Sequence, residues 1–112
     1  DEESDSGYLA QKISLFRIFP DENHNLNLSI LDVDGSALVV SQFTLCADLR
    51  GGNRPGFSPA AQPEKAESLY EHFMDQLIKN KVPVQSGLFG AMMDVHLVND
   101  GPVTFVLDSR GK

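Results

Sequence analysis

Residues 41–45 read Ser-Gln-Phe-Thr-Leu, two hydroxyls and a carboxamide set in an otherwise apolar run over 37–47. A hydroxyl such as that of Thr44 attacks an acyl group only when a base takes its proton. Backbone N–H groups beside it can instead hold a developing oxyanion with no base at all. A second stretch, 99–104, reads Asn-Asp-Gly-Pro-Val-Thr and sets a proline behind a glycine at the mouth of another apolar run. Proline removes a ladder donor, so it belongs at a strand's first residue or on its edge. Glycine, lacking a Cβ, lets something else come close to the backbone. Taken singly, the first stretch also reads as polar residues on the wet face of a sheet, and the second as a turn.

Other familiar chemistries are missing from the letters. There is no G-x-S-x-G elbow, no phosphate loop of the G-x-x-x-x-G-K-[ST] type and no H-E-x-x-H. His24, His72 and His96 are scattered over a turn, the wet face of a helix and a strand. Asp94 and His96 project from one face of a strand, but two ligands do not make a metal site. Cys46 is the only cysteine, so an internal disulfide is impossible, which fits a reducing compartment. Within its apolar run it reads as a small buried hydrophobe, with no base or helix start beside it to lower its pKa.

These residues need elements to hold them. Ser4 or Asp5 can cap a first helix carrying Leu9, Ile13 and Phe16 at helical spacing. Residues 15–19 pass into a strand, 20–25 are turn-forming, and 26–31 alternate with period two. Asp32 to Gly35 turn the chain into a central strand over 37–47, completing an antiparallel meander. Residues 50–63 form a long Gly-, Pro-, Asn- and Ser-rich loop of the kind that carries function. A second helix opens at Pro63, with Glu64 and Glu67 in its first turn, and ends at 79–81 on cations. Its apolar stripe is Ala66, Leu69, Tyr70, Phe73 and Leu77. A short strand near Val84 and strands over 92–98 and 102–108 follow. One α+β domain over 1–112 is expected, with one or two sheets covered by two helices.

The chain has 112 residues, 41% of them hydrophobic, and a formal net charge of −7. That balance argues against a broad basic face for duplex nucleic acid, so no stable DNA binding is expected. The charge is uneven, however. Asp1, Glu2, Glu3 and Asp5 crowd the start, whereas 49–62 holds Arg50 and Arg54 and no acid. Those arginines suit either a local phosphate contact or plain solvated loop charge. No apolar run is long enough to span a bilayer, so no membrane partner is expected.

In combination and in this order, the Ser-Gln strand motif at 41–45 and the Asn-x-Gly-Pro-x-Thr motif at 99–104 resemble the D-aminoacyl-tRNA deacylases. The segments "FRIFPDENHNLNLSILDVDG", "LVVSQFTLCADLRGGNRPGF", "ESLYEHF" and "GLFGAMMDVHLVNDGPVTFVLD" extend the resemblance over essentially the whole chain. It implies a cytoplasmic homodimer with antiparallel and mixed sheets forming a barrel-like core under the two helices. It also implies that the family's N-terminal strands are missing from this sequence.

The implied reaction is hydrolysis of the ester between a D-amino acid and the terminal adenosine of tRNA, with no metal and no organic cofactor. Gly101 and Pro102, joined by a cis peptide in the D-specific branch, would reach into the partner subunit's site as a backbone wall. Another branch, acting on mischarged L-alanine, carries a trans bond, and letters do not specify peptide geometry. Such a wall excludes an L side chain by clash while leaving D side chains unread. Thr44 is then either a nucleophile or, with Phe43, a source of oxyanion-hole N–H groups while the tRNA 2′-hydroxyl activates water. Ser41 and Gln42 shape the site in both versions. Phe89 and Met93 match positions that pack the terminal adenine, although spacing alone assigns them to a core. Arg50 and Arg54 are the candidate phosphate contacts. The competing class is a non-catalytic module of the same fold that binds replication-origin DNA.

Overall fold

In the computed structural model, which describes residues 1–111, helix α1 spans Glu3–Leu15. It begins earlier than a Ser4 or Asp5 cap would place it. Asp5 lies inside the first turn and reaches back, its carboxylate accepting the Glu2 N–H at 2.9 Å. That contact satisfies a donor with no partner inside the helix, and it favours the positive end of the helix dipole. The buried seam of α1 is Ser6, Ala10 and Ser14, small residues one turn apart, which lets another helix approach closely. Neither serine is left unsatisfied: Ser14 Oγ donates to the Ala10 carbonyl at 2.8 Å and Ser6 Oγ to that of Leu69 at 3.4 Å.

The second helix, α2, spans Pro63–Lys79, the bounds its local signals predict. Proline at its start and Glu64 in the first turn suit the N-terminus, and Lys79 suits the C-terminus. Asn80 stops it, its amide donating to the Gln76 carbonyl at 2.8 Å, and Lys81 turns the chain with a left-handed φ of 72°. The turn returns Val82 to the core through an N–H bond to the Leu77 carbonyl at 3.0 Å. Ala10, Ile30, Leu77 and Val82 are the buried centre, with Ile13, Phe19, Ala37, Val39, Phe73 and Val84 packed around it.

The sheets are smaller than the sequence pattern suggests. Strands β1 (Phe19–Pro20) and β2 (Leu26–Leu28) pair antiparallel. Strands β3 (Ala37–Val39) and β4 (Val84–Ser86) pair in parallel, with α2 between them in sequence. The antiparallel meander is therefore corrected: β3 does not return along β2 but waits for a strand on the far side of a helix, as a parallel pair requires. Residues 26–31 stop being strand at Leu28 because Ser29 and Asp32 bond each other's backbone N–H, at 2.8 and 3.2 Å, and start a turn.

Three further expectations change. The strand over 37–47 ends at Val39, and Phe43–Cys46 is a 3-10 turn. Residues 92–98 and 102–108 follow no regular element, although their sequence reads as strand. A strand exists only where a neighbour takes up its N–H and C=O groups, and among the described residues none lies alongside these segments. Met92, Val98 and Val106 are accordingly more than nine-tenths exposed. Cys46 is exposed rather than buried, because the turn lifts it out of the apolar run. The α+β class stands, with two α-helices and two small sheets among the described residues. No helix among the described residues is long and apolar enough to cross a membrane.

Candidate active site

Chain packing sets the first motif immediately after β3. Beyond Val39 the ladder ends, and the carbonyl of Val39 accepts instead from the Tyr70 hydroxyl on α2 at 3.1 Å. Released from the sheet, residues 43–46 close into the 3-10 turn, with Leu45 N–H bonding the Gln42 carbonyl at 3.3 Å and Ala47 N–H that of Thr44 at 3.1 Å. The N–H groups of Phe43 and Thr44 open this turn, so no backbone acceptor lies within it for them. Had 41–45 stayed a central strand, as its apolar setting predicts, those donors would be spent in a ladder. The turn keeps them available.

The side chains of the motif are exposed apart from the half-buried Ser41. Gln42 donates from its amide nitrogen to Thr44 Oγ1. A carboxamide orients a hydroxyl but does not accept its proton at neutral pH, and none of the three histidines bonds it. His72, expected on a wet face, is half-buried between the helices, its Nδ1 at 2.9 Å from Ser6 Oγ and its Nε2 at 3.9 Å from Glu3. Its helix is turned so that α1 covers it. Asp94 and His96 are exposed, and among the described residues no three His, Cys, Asp or Glu side chains gather at one point.

The adenine candidates come to the same end of β3 through Tyr70. Besides bonding Val39, its hydroxyl lies 3.4 Å from the Gly87 carbonyl, just past β4. The Phe89 ring sits 5.8 Å from the Tyr70 ring at 46°. The Met93 thioether fills the space beside Gly87, where a Cβ would lie 2.5 Å from Sδ. Tyr70 thus holds the motif strand and the 87–93 segment together, a role its place in an apolar stripe conceals. The one available signal was the hydroxyl itself, which seeks a partner when partly buried.

The loop after the turn is also tied to it. Asp48 and Gly56 exchange backbone bonds of 2.7 and 3.0 Å, closing the intervening residues into a hairpin-like loop. Phe57 packs edge-on against Phe43, ring centres 4.9 Å apart. On that loop Arg50 is held by Asp48 through two guanidinium bonds of 2.9 and 3.1 Å. The Arg50 guanidinium, then its N–H, lower the Asp48 carboxyl below its ordinary 3.8, and Asp48 in turn raises Arg50.

Gly101–Pro102 is a cis peptide on an exposed stretch, and a Cβ at Gly101 would collide with the Val103 backbone nitrogen. Among the described residues no hydrogen bond, ion pair or ring contact joins 99–104 to 41–44. Two shallow hollows lie along α1, and neither is lined by a motif residue.

With this geometry in view, residues 1–108 match the protein family described as D-Tyr-tRNA(Tyr) deacylase. A protein of Koribacter versatilis named D-aminoacyl-tRNA deacylase is 54% identical over 110 residues, 98% of this chain and 74% of the relative. One of the same name from Ruegeria pomeroyi is 56% identical over 108 residues, 96% of this chain and 74% of the relative. Among solved structures, one titled "c-Myc DNA Unwinding Element Binding Protein" superposes with a TM-score of 0.86 at 39% identity, covering 96% of this chain and 74% of that one.

Proposed function

The chain belongs to the D-Tyr-tRNA(Tyr) deacylase family, and from that premise we propose that it hydrolyses the ester of D-aminoacyl-tRNA to free D-amino acid and tRNA. The observation that carries this is the 54% identity to a named D-aminoacyl-tRNA deacylase over 98% of the chain, spanning both motifs. The local geometry supports an electrostatic route. The N–H groups of Phe43 and Thr44 stabilise the oxyanion as the ester carbonyl is attacked by water, and the tRNA 2′-hydroxyl serves as the proton relay. Each positioned donor is worth about 3–4 kcal/mol of barrier, ample for an ester that is already activated. Gln42, bonded to Thr44 Oγ1, orients the turn, and Ser41 links it to β3. Among the described residues Thr44 as a nucleophile has no basic side chain bonded to it to take its proton.

Chirality rests on Gly101 and Pro102, contributed by the second subunit of a homodimer. The stretch is exposed and, among the described residues, no hydrogen bond, ion pair or ring contact ties it to 41–44 of its own chain, which suits a contribution in trans. Phe89 and Met93 pack the terminal adenine, an aromatic stack being worth about 1–3 kcal/mol. The loop nearest in sequence to the turn carries Arg50 and Arg54, the two candidates for a phosphate contact. The barrel-like core belongs to the same reading, its further strands drawn from the unladdered segments 92–98 and 102–108. The reaction needs no metal or organic cofactor.

Incubating the chain with D-tyrosyl-tRNA and, separately, with replication-origin duplex DNA tests the proposal. Release of D-tyrosine with little retention of the duplex is the expected result. Tight duplex retention with no release would sink it and favour the binding module.

A further inference from the structure

The two loop arginines are unequal. Arg50 sets its Nε–Nη2 edge on the Asp48 carboxylate, a paired contact whose net charge is zero. Arg54 is exposed and makes no hydrogen bond or ion pair among the described residues. Between Leu49 and Gln62 no acid lies in sequence to oppose it. Its loop is fastened at the base by the Asp48–Gly56 bonds and beside it by Phe57 against Phe43, so it travels with the turn that holds Thr44.

We propose that Arg54 alone makes the loop's phosphate contact with the acceptor end of tRNA, while Asp48 withholds Arg50 from that role. The inference rests on the proposed substrate. Asp48 acts as a silencer of charge: with its carboxylate in place the loop offers a single free cation among the described residues, and the protein holds its product weakly. Because Arg54 is a bare cation with no side-chain partner to aim it, the contact gives affinity without sequence readout.

Binding of uncharged tRNA is measured by fluorescence anisotropy between 50 and 200 mM salt, for the unaltered chain and for exposed-site variants. One phosphate contact contributes close to one unit to the slope of log affinity against log salt, about a 3-fold change in affinity over this range. Arg54→Gln is expected to flatten the slope by about one unit, and Arg54→Lys to restore most of it. The double change Asp48→Asn with Arg50→Gln removes a neutral pair and keeps the acceptor for the residue 50 N–H, so slope and affinity stay as they were. Asp48→Asn alone frees Arg50 and steepens the slope by about one unit. An unchanged slope in Arg54→Gln, or a flattened one in the double variant, overturns the inference. Failure of the unaltered chain to bind tRNA overturns it too, as does an Arg54→Gln effect on duplex DNA that is absent on tRNA. Hydrolysis of D-tyrosyl-tRNA is scored separately: its absence defeats the proposed reaction, and salt-dependent binding through Arg54 is judged on the anisotropy alone.

Discussion

Replacing Tyr70 by Phe removes one oxygen and keeps the ring, which separates the two things this side chain does. Its O–H lies 3.1 Å from the Val39 carbonyl and 3.4 Å from that of Gly87. One proton serves one acceptor well at a time, so the loss is that of a single hydrogen bond plus a carbonyl left poorly solvated. A partly buried neutral bond of this kind is worth about 0.5–1.5 kcal/mol. In a domain of this size, about 1 kcal/mol lowers the melting temperature by roughly 5 °C. The ring contact with Phe89 at 5.8 Å is retained, so Tyr70→Ala should cost distinctly more, by a further ~1–3 kcal/mol. Paired thermal melts and urea titrations read both values. Because the bond joins the end of β3 to the 87–93 segment, KM for D-aminoacyl-tRNA should rise several-fold in Tyr70→Phe while kcat changes less. An unshifted melting temperature with unchanged KM would refute the claim that the hydroxyl holds the site together. Equal destabilisation by Phe and Ala would refute the separation of bond from packing.

Thr44→Ala should keep deacylation within about 10-fold of the unaltered rate, since the N–H groups remain; a loss of 10⁴ or more in single-turnover assays would restore the covalent route. Leu77→Ala, at a side chain only 1% exposed in a core of four buried apolar residues, should cost about 2–5 kcal/mol by urea denaturation, enough to leave much of the chain unfolded at 37 °C. Asp21 is held below its ordinary 3.8, chiefly by the Asn25 N–H, with the Asn23 N–H and the Asn27 amide adding to it. A depressed folded value contributes stability above the unfolded pKa and loses it as pH falls through the lower one. NMR titration should therefore show Asp21 ionising below a free aspartate, and Asp21→Asn should flatten the acid limb of the stability curve.

What the sequence could disclose divides along the range of the forces. Helix α2 was legible from Pro63 at its start to the cations over 79–81 at its end because its signals are local, with apolar positions one turn apart between them. The start of α1 was misplaced because Asp5 caps from within the helix, not before it. Strands failed more widely, since alternation announces a surface that wants a partner, not the partner itself. Residues 92–98 and 102–108 carry the pattern and lack the ladder. The 3-10 turn at Phe43–Cys46 escaped for the same reason, because nothing in 41–47 reveals that pairing ends at Val39. Functional letters were easier to see than functional contacts. The runs at 41–45 and 99–104 stand out on the page, whereas Tyr70 looked like one more stripe residue. The Arg50–Asp48 pair was readable in principle: an acid two residues before an arginine in a turn is well placed to take it.

The most direct measurement is the ratio of kcat/KM for D-tyrosyl-tRNA to that for L-tyrosyl-tRNA. A main-chain barrier that shuts out one hand of the substrate predicts a ratio on the order of 10³ or more. Comparable hydrolysis of both hands would contradict it.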